Sequence, residues 1–156
     1  MNRNIKIIIV PGFSYLSLGA ILEPLQTLKN LYHELILDIE LISITDDIIH
    51  SKSGISIKCN KSFQHCLKDL TKNSKTTAVF LCCGLKTPFD MQSSLKKILR
   101  LCDLKRIPTF GVGAAGWKMA DAGMLSKGTG TVHWTTLAAF KERNQDIDVK
   151  DALFIT

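Results

Sequence analysis

The sequence lacks any long hydrophobic run. No apolar stretch approaches the roughly 20 residues that cross a bilayer, which excludes a membrane-spanning helix. The opening residues, Met1-Asn2-Arg3-Asn4-Ile5-Lys6, run straight into a strand-like segment. They leave no room for a signal peptide, so the cytoplasm is the expected compartment. Repeats, low-complexity tracts and Pro/Ser-rich linkers are also missing, and 156 residues suit one domain, taken as 1–156. The five cysteines, Cys59, Cys66, Cys82, Cys83 and Cys102, are odd in number. They show neither a disulfide framework nor the CxxC spacing of a zinc site. They read as buried free thiols in a reducing environment, with no metal expected.

What is present is the balance of a folded chain: 46% apolar and 22% charged residues, with 20 Lys+Arg against 14 Asp+Glu and a net charge of +6. Such a chain buries enough apolar surface to offset the entropy of ordering. The positive charge is scattered, with one cluster at Lys96, Lys97, Arg100, Lys105 and Arg106. A solvated helix face accounts for that cluster more readily than nucleic-acid contact does.

Ile5 to Val10 is a β-branched run, broken only by Lys6 and ended by Pro11-Gly12, as expected of a strand buried on both faces. Leu18, Ile21, Leu22, Leu25 and Leu28 follow at helical spacing. Ile36 to Ile44 reads as a strand, and Ile55 and Ile57 as a short one after the Ser53-Gly54 turn. Thr77 to Cys82 is a further buried strand. Thr87-Pro88 then opens a helix with apolar positions at Met91, Leu95, Ile98, Leu99 and Cys102. Ile107 to Val112 is a strand, Ala114 to Met124 a helix and Thr129 to His133 a short strand. Thr135 or Thr136 caps a helix carrying Leu137 and Phe140, and Ala152 to Ile155 begins one more strand. This alternation predicts an α/β fold around a mostly parallel sheet. Ligands in such sheets bind beyond the carboxyl ends of the strands. Three turns lie there: Pro11-Gly12-Phe13-Ser14, Cys82-Cys83-Gly84-Leu85, and Gly111 to Trp117.

Gly111-Val112-Gly113-Ala114-Ala115-Gly116 spells GxGxxG between a strand and a helix. It lies late in the chain, and no acidic residue stands about 20 positions on to hold a ribose. Close packing of the turn is the simpler reading, and no cofactor is expected. Ala120 to Ser126 echoes a helix-turn-helix. The stretch after it, Gly128-Thr129-Gly130-Thr131-Val132, is too rich in glycine and β-branched residues to be a recognition helix. His133 stands without a G-x-S-x-G or Ser-His-Asp arrangement, and a lone histidine is more often structural. Cys82 and Cys83 sit at a strand end, where a thiolate would still need an activating base or helix terminus.

Several segments together resemble one family. Val10-Pro11-Gly12-Phe13-Ser14 with Glu23-Pro24-Leu25, and Ser51-Lys52-Ser53-Gly54-Ile55, resemble its opening. Ala122-Gly123-Met124-Leu125, Thr131-Val132-His133-Trp134, Leu137-Ala138-Ala139-Phe140 and Asp151-Ala152-Leu153-Phe154-Ile155 resemble its later part. The set looks like the N-terminal domain of AraC-family transcriptional regulators of the glutamine-amidotransferase-like (PfpI-like) superfamily. The resemblance implies a flavodoxin-like three-layer α/β/α sandwich. It implies a further strand and helix after the segment ending at Ile155, so the domain is expected to be truncated. It also places DNA binding in a C-terminal domain absent from this chain. In the superfamily's enzymes a cysteine occupies a strained elbow after the fifth strand, served by a carboxylate from the first βα turn. Here the elbow falls on Gly113 and the carboxylate position near Leu16. Without a side chain there can be no covalent intermediate at the elbow. The resemblance therefore implies a non-catalytic sensor for a small effector such as an amino acid, amine or other nitrogen compound, and a homodimer. Its pocket is expected at Gly12, Phe13, Ser14, Cys83, Gly84, Gly113, Ala114, His133 and Trp134. Two alternatives stand beside it: a hydrolase or amidase with a rearranged site using Cys83 or His133, and a shortened interaction-only remnant.

Overall fold

The computed structural model describes residues 2–72, 75–84 and 89–156. The elements in chain order begin with β1 (Asn2–Ile9), α1 (Tyr15–Leu31), β2 (Ile36–Ser43), β3 (Ile48–His50), β4 (Ser56–Lys58), β5 (Lys61–Ser62) and α2 (Phe63–Thr71). They continue with β6 (Thr76–Cys83), α3 (Phe89–Leu104), β7 (Thr109–Gly113), α4 (Ala115–Asp121), β8 (Thr129–Gly130), a 3-10 turn (Trp134–Thr136), α5 (Leu137–Arg143) and β9 (Asp148–Val149).

The main sheet has the order β5-β2-β1-β6-β7, and each of its strand pairs is parallel. β1 lies in the middle because its side chains serve both faces. Ile8 and Val10 enter a core with α2, α3 and α4, whereas Ile5, Ile7 and Ile9 enter a core with α1. Helices on both faces of a mostly parallel sheet make the expected flavodoxin-like α/β/α sandwich. Two small pairs sit outside it, an antiparallel β3–β4 hairpin and a parallel β8–β9 pair.

Four expectations change. α2 was not expected, although Phe63, Cys66, Leu67 and Leu70 stand at helical spacing behind the N-cap Ser62, whose Oγ accepts the His65 N–H at 3.3 Å. Ala152 to Ile155 is not a strand. Its backbone has no ladder partner among the described residues, and Leu153 is 98% exposed. β9 instead forms earlier, where Asp148 and Val149 find Thr129 and Gly130. Neither Thr135 nor Thr136 caps by its side chain. His133 caps the 3-10 turn through Nδ1, and Thr136 takes the N-cap position of α5 without a side-chain capping bond, its Oγ1 donating instead to the His133 carbonyl at 3.1 Å. The helix expected to Met124 stops at Asp121, closed by Gly123 at φ +84° with the Met124 N–H on the Met119 carbonyl. The expected cap at Thr87-Pro88 lies outside the described residues.

The basic cluster is partly structural. Lys105 Nζ donates to the Thr71 and Lys72 carbonyls, each at 3.1 Å, and so closes the C-terminal end of α2. Arg106 takes a left-handed φ of 53° at the end of α3, where the Ile107 N–H bonds the Cys102 carbonyl.

Candidate functional site

The carboxyl ends of β1, β6 and β7 converge, and backbone contacts join their three turns. The Val10 N–H donates to the Cys82 carbonyl at 3.0 Å, aligning the first turn with the end of β6. A Cβ on Gly84 would collide with the Gly12 carbonyl oxygen and lie 2.9 Å from its carbonyl carbon. Only a glycine lets these two turns touch. The β3–β4 hairpin buttresses the same turn. The Gly12 N–H bonds the His50 carbonyl and the Lys52 N–H bonds the Phe13 carbonyl, both at 2.9 Å. Ser14 begins α1, its Oγ accepting the Ser17 N–H at 3.4 Å.

Gly113 closes β7 with φ +72°, the left-handed region that disfavours a side chain. The elbow conformation is present, and no nucleophile occupies it. A Cβ there would lie 3.0 Å from the Cys83 carbonyl oxygen and 4.0 Å from Ser17 Oγ. Ser17 was not among the expected residues, and its position one helical turn past Ser14 carries no signal that singles it out. Leu16, at the expected carboxylate position, is 83% exposed.

The structure thus gathers Gly12, Ser14, Gly84 and Gly113 at one sheet edge. Three expected members change role. Phe13 is fully buried and packs in the α1-side core, so its ring is core and not pocket wall. The Ala114 N–H is held by the Cys83 carbonyl at 3.1 Å and is not free to bind an anion. Cys83 is buried, and burial pushes its thiol up to about 12, against a smaller opposing pull from the Lys118 ammonium. A thiol so desolvated is a poor nucleophile near neutral pH.

His133 and Trp134 lie on the segment after β8. That segment packs on α4 at Gly116, where a Cβ would stand 2.8 Å from the Thr131 carbonyl oxygen. The last glycine of the GxGxxG run therefore serves close packing. His133 turns to its own loop: Nδ1 stands 2.7 Å from Thr135 Oγ1, and the ring stacks on Trp134 at 5.3 Å. Trp134 is exposed. Among the described residues no group of His, Cys, Asp and Glu could hold a metal ion, and no helix is long and apolar enough to cross a membrane.

No family model matches the chain. It is 23% identical over 154 residues to the HTH-type transcriptional regulator CdhR of Pseudomonas aeruginosa, covering 99% of this chain and 44% of that one. The chain spans about half the length of the curated relatives it matches. An AraC family transcriptional regulator from Pseudomonas putida superposes with a TM-score of 0.81 at 20% identity, over 99% of this chain and 79% of that one. A ThiJ/PfpI family protein from Pseudomonas syringae gives 0.72 at 16% identity, over all of this chain (100%) and 60% of that one. The curated relatives are transcriptional regulators, as the resemblance read from the sequence implies, and the solved structures share the fold it implies.

Proposed function

We propose that this chain is a non-catalytic, ligand-sensing part of an AraC-type transcriptional regulator. The observation that carries the reading is the elbow at Gly113. The turn keeps its left-handed backbone at the junction of three strand ends, and it has no side chain to react. The regulator relatives support the same reading. A small amino acid, amine or amide would bind above Gly12, Ser14, Gly84 and Gly113, with His133 and Trp134 approaching from the loop after β8. Binding would alter the geometry of a homodimer, and DNA would be contacted through a domain beyond residues 1–156, in the cytoplasm. The buried, high-pKa Cys83 opposes a rearranged thiol enzyme.

A thermal-shift screen with amino acids, amines and small amides tests the reading. A true effector at 100 times its Kd adds about 2.7 kcal/mol of stability, a shift of several degrees. The shift should shrink in Ser14→Ala. Hydrolysis of any amide in the screen, or no stabilisation by any compound, overturns the proposal.

A further inference from the structure

Three cationic side chains from three helices meet in one groove. Lys96 comes from α3, Lys118 from α4 and Arg143 from the end of α5. With Gln92, Ser93 and Asp121 they line a recess of about 270 Å³. The charges do not balance. Among the described residues Asp121 is the one carboxylate in the lining, and it is engaged by Arg143 Nη2 at 2.8 Å. Lys96 and Lys118 are half-buried and form no ion pair with any carboxylate of the described residues. A concave surface lined by one sign of charge focuses its field on the space it encloses.

The groove is also shaped to recognise more than charge. Asp121 fixes Arg143 from one side, and the guanidinium carbon lies 5.9 Å from the Trp117 ring centroid. An arginine held this way keeps its remaining N–H groups for a planar or tetrahedral oxyanion. Gln92 and Ser93, on α3 with Lys96, add neutral donors to the lining. The volume is below the usual range for drug-sized ligands, about 300–1,000 Å³, and suits a small molecule.

We propose that this groove binds a small organic dianion, a phosphomonoester or a dicarboxylate, at a site separate from the sheet-edge cluster. Lys118 stands on α4, the helix that opens at the Gly113 elbow, so occupancy of the groove acts on an element shared with that cluster.

The test is an amide-resolved NMR titration of the full 156-residue chain with inorganic phosphate and, separately, with succinate, each against sodium chloride at equal ionic strength. The expected result is a saturable shift of the Gln92, Ser93, Lys96 and Lys118 amides by at least one of the two. The stronger of the two identifies the ligand class. Lys118→Met and Lys96→Gln should each weaken that binding at least tenfold while leaving the far-UV spectrum unchanged. Lys96→Gln, on a partly exposed helix face, keeps the test usable if the other variant fails to fold. A response that chloride reproduces, that never saturates, or that survives Lys96→Gln at full strength overturns the proposal. None of these outcomes depends on whether amino acids or amines bind at the sheet edge.

Discussion

Gly84 and Gly113 are held by different physics, and substitution separates them. At Gly84 the constraint is space: a Cβ meets the backbone of Gly12, which cannot swing aside like a side chain. At Gly113 the constraint is conformational, a left-handed φ beside one carbonyl oxygen at 3.0 Å. Forcing an L-residue into the left-handed region costs about 1–2 kcal/mol. Overpacking against immobile backbone costs up to about 3 kcal/mol and displaces the turn. Gly84→Ala should therefore lower the melting temperature more than Gly113→Ala, by roughly 6 °C against 3 °C. The reverse order would show that the first turn yields easily. Gly113 stood out only through the family resemblance, which puts the elbow there; the local pattern of strand, glycine and helix by itself reads as close packing. The fate of Phe13 was not. A ring one residue past a turn glycine can face a ligand or the core, and only the position of α1 decides it.

At the scale of elements, the central strands and long helices were legible because their apolar residues follow one period without interruption. β1 from Ile7 and β6 from Ala78 run on as unbroken apolar stretches, and α1 and α3 carry apolar stripes. α2 is short, and its stripe starts directly at the end of β5, which hides it between two strand readings. The tetrapeptide Ala152 to Ile155 has strand-like composition, but a strand exists only with a partner. The contact that fixes α2 to the sheet was also hidden. Lys6, fully buried on β1, donates to Glu40 of β2 and Asp69 of α2, both at 2.6 Å. Removing one member of a buried ion pair typically costs about 3–5 kcal/mol, because the charge left behind has no partner. Asp69 is partly exposed and can rehydrate, whereas Glu40 is 7% exposed and cannot. Lys6→Met should therefore destabilise by roughly 3 kcal/mol in urea unfolding, at the low end of that range. Lys6→Met combined with Glu40→Leu should recover much of the loss. A double variant no more stable than Lys6→Met would mean that packing of the lysine stem, and not the stranded carboxylate, sets the cost.

At the scale of the whole molecule, the five buried thiols act together. Burial pushes Cys66 and Cys83 up to about 12, and Cys59, Cys82 and Cys102 to about 11, from an unfolded value of 9.0. Between pH 9 and 11 the unfolded chain therefore releases protons that the folded chain keeps, so stability must fall as the pH rises. Each thiol costs about 1.4 kcal/mol by pH 10, and the five together approach the whole stability of a typical domain, about 5–15 kcal/mol. Lys6 acts in the same direction later. Its carboxylate partners outweigh its desolvation and raise its pKa above 10.5, so its contribution holds below that value and is lost as the pH climbs through the folded one. Urea midpoints measured at constant ionic strength should be flat from pH 7 to 8.5 and then fall steeply, with the native state lost near pH 10. Cys82→Val removes one titrating thiol from the core and should make the fall shallower by about a fifth, a change that loss of packing alone would not produce. A midpoint unchanged between pH 8.5 and 10 would mean that the thiols ionise in place, and that the cores on both faces of the sheet admit water.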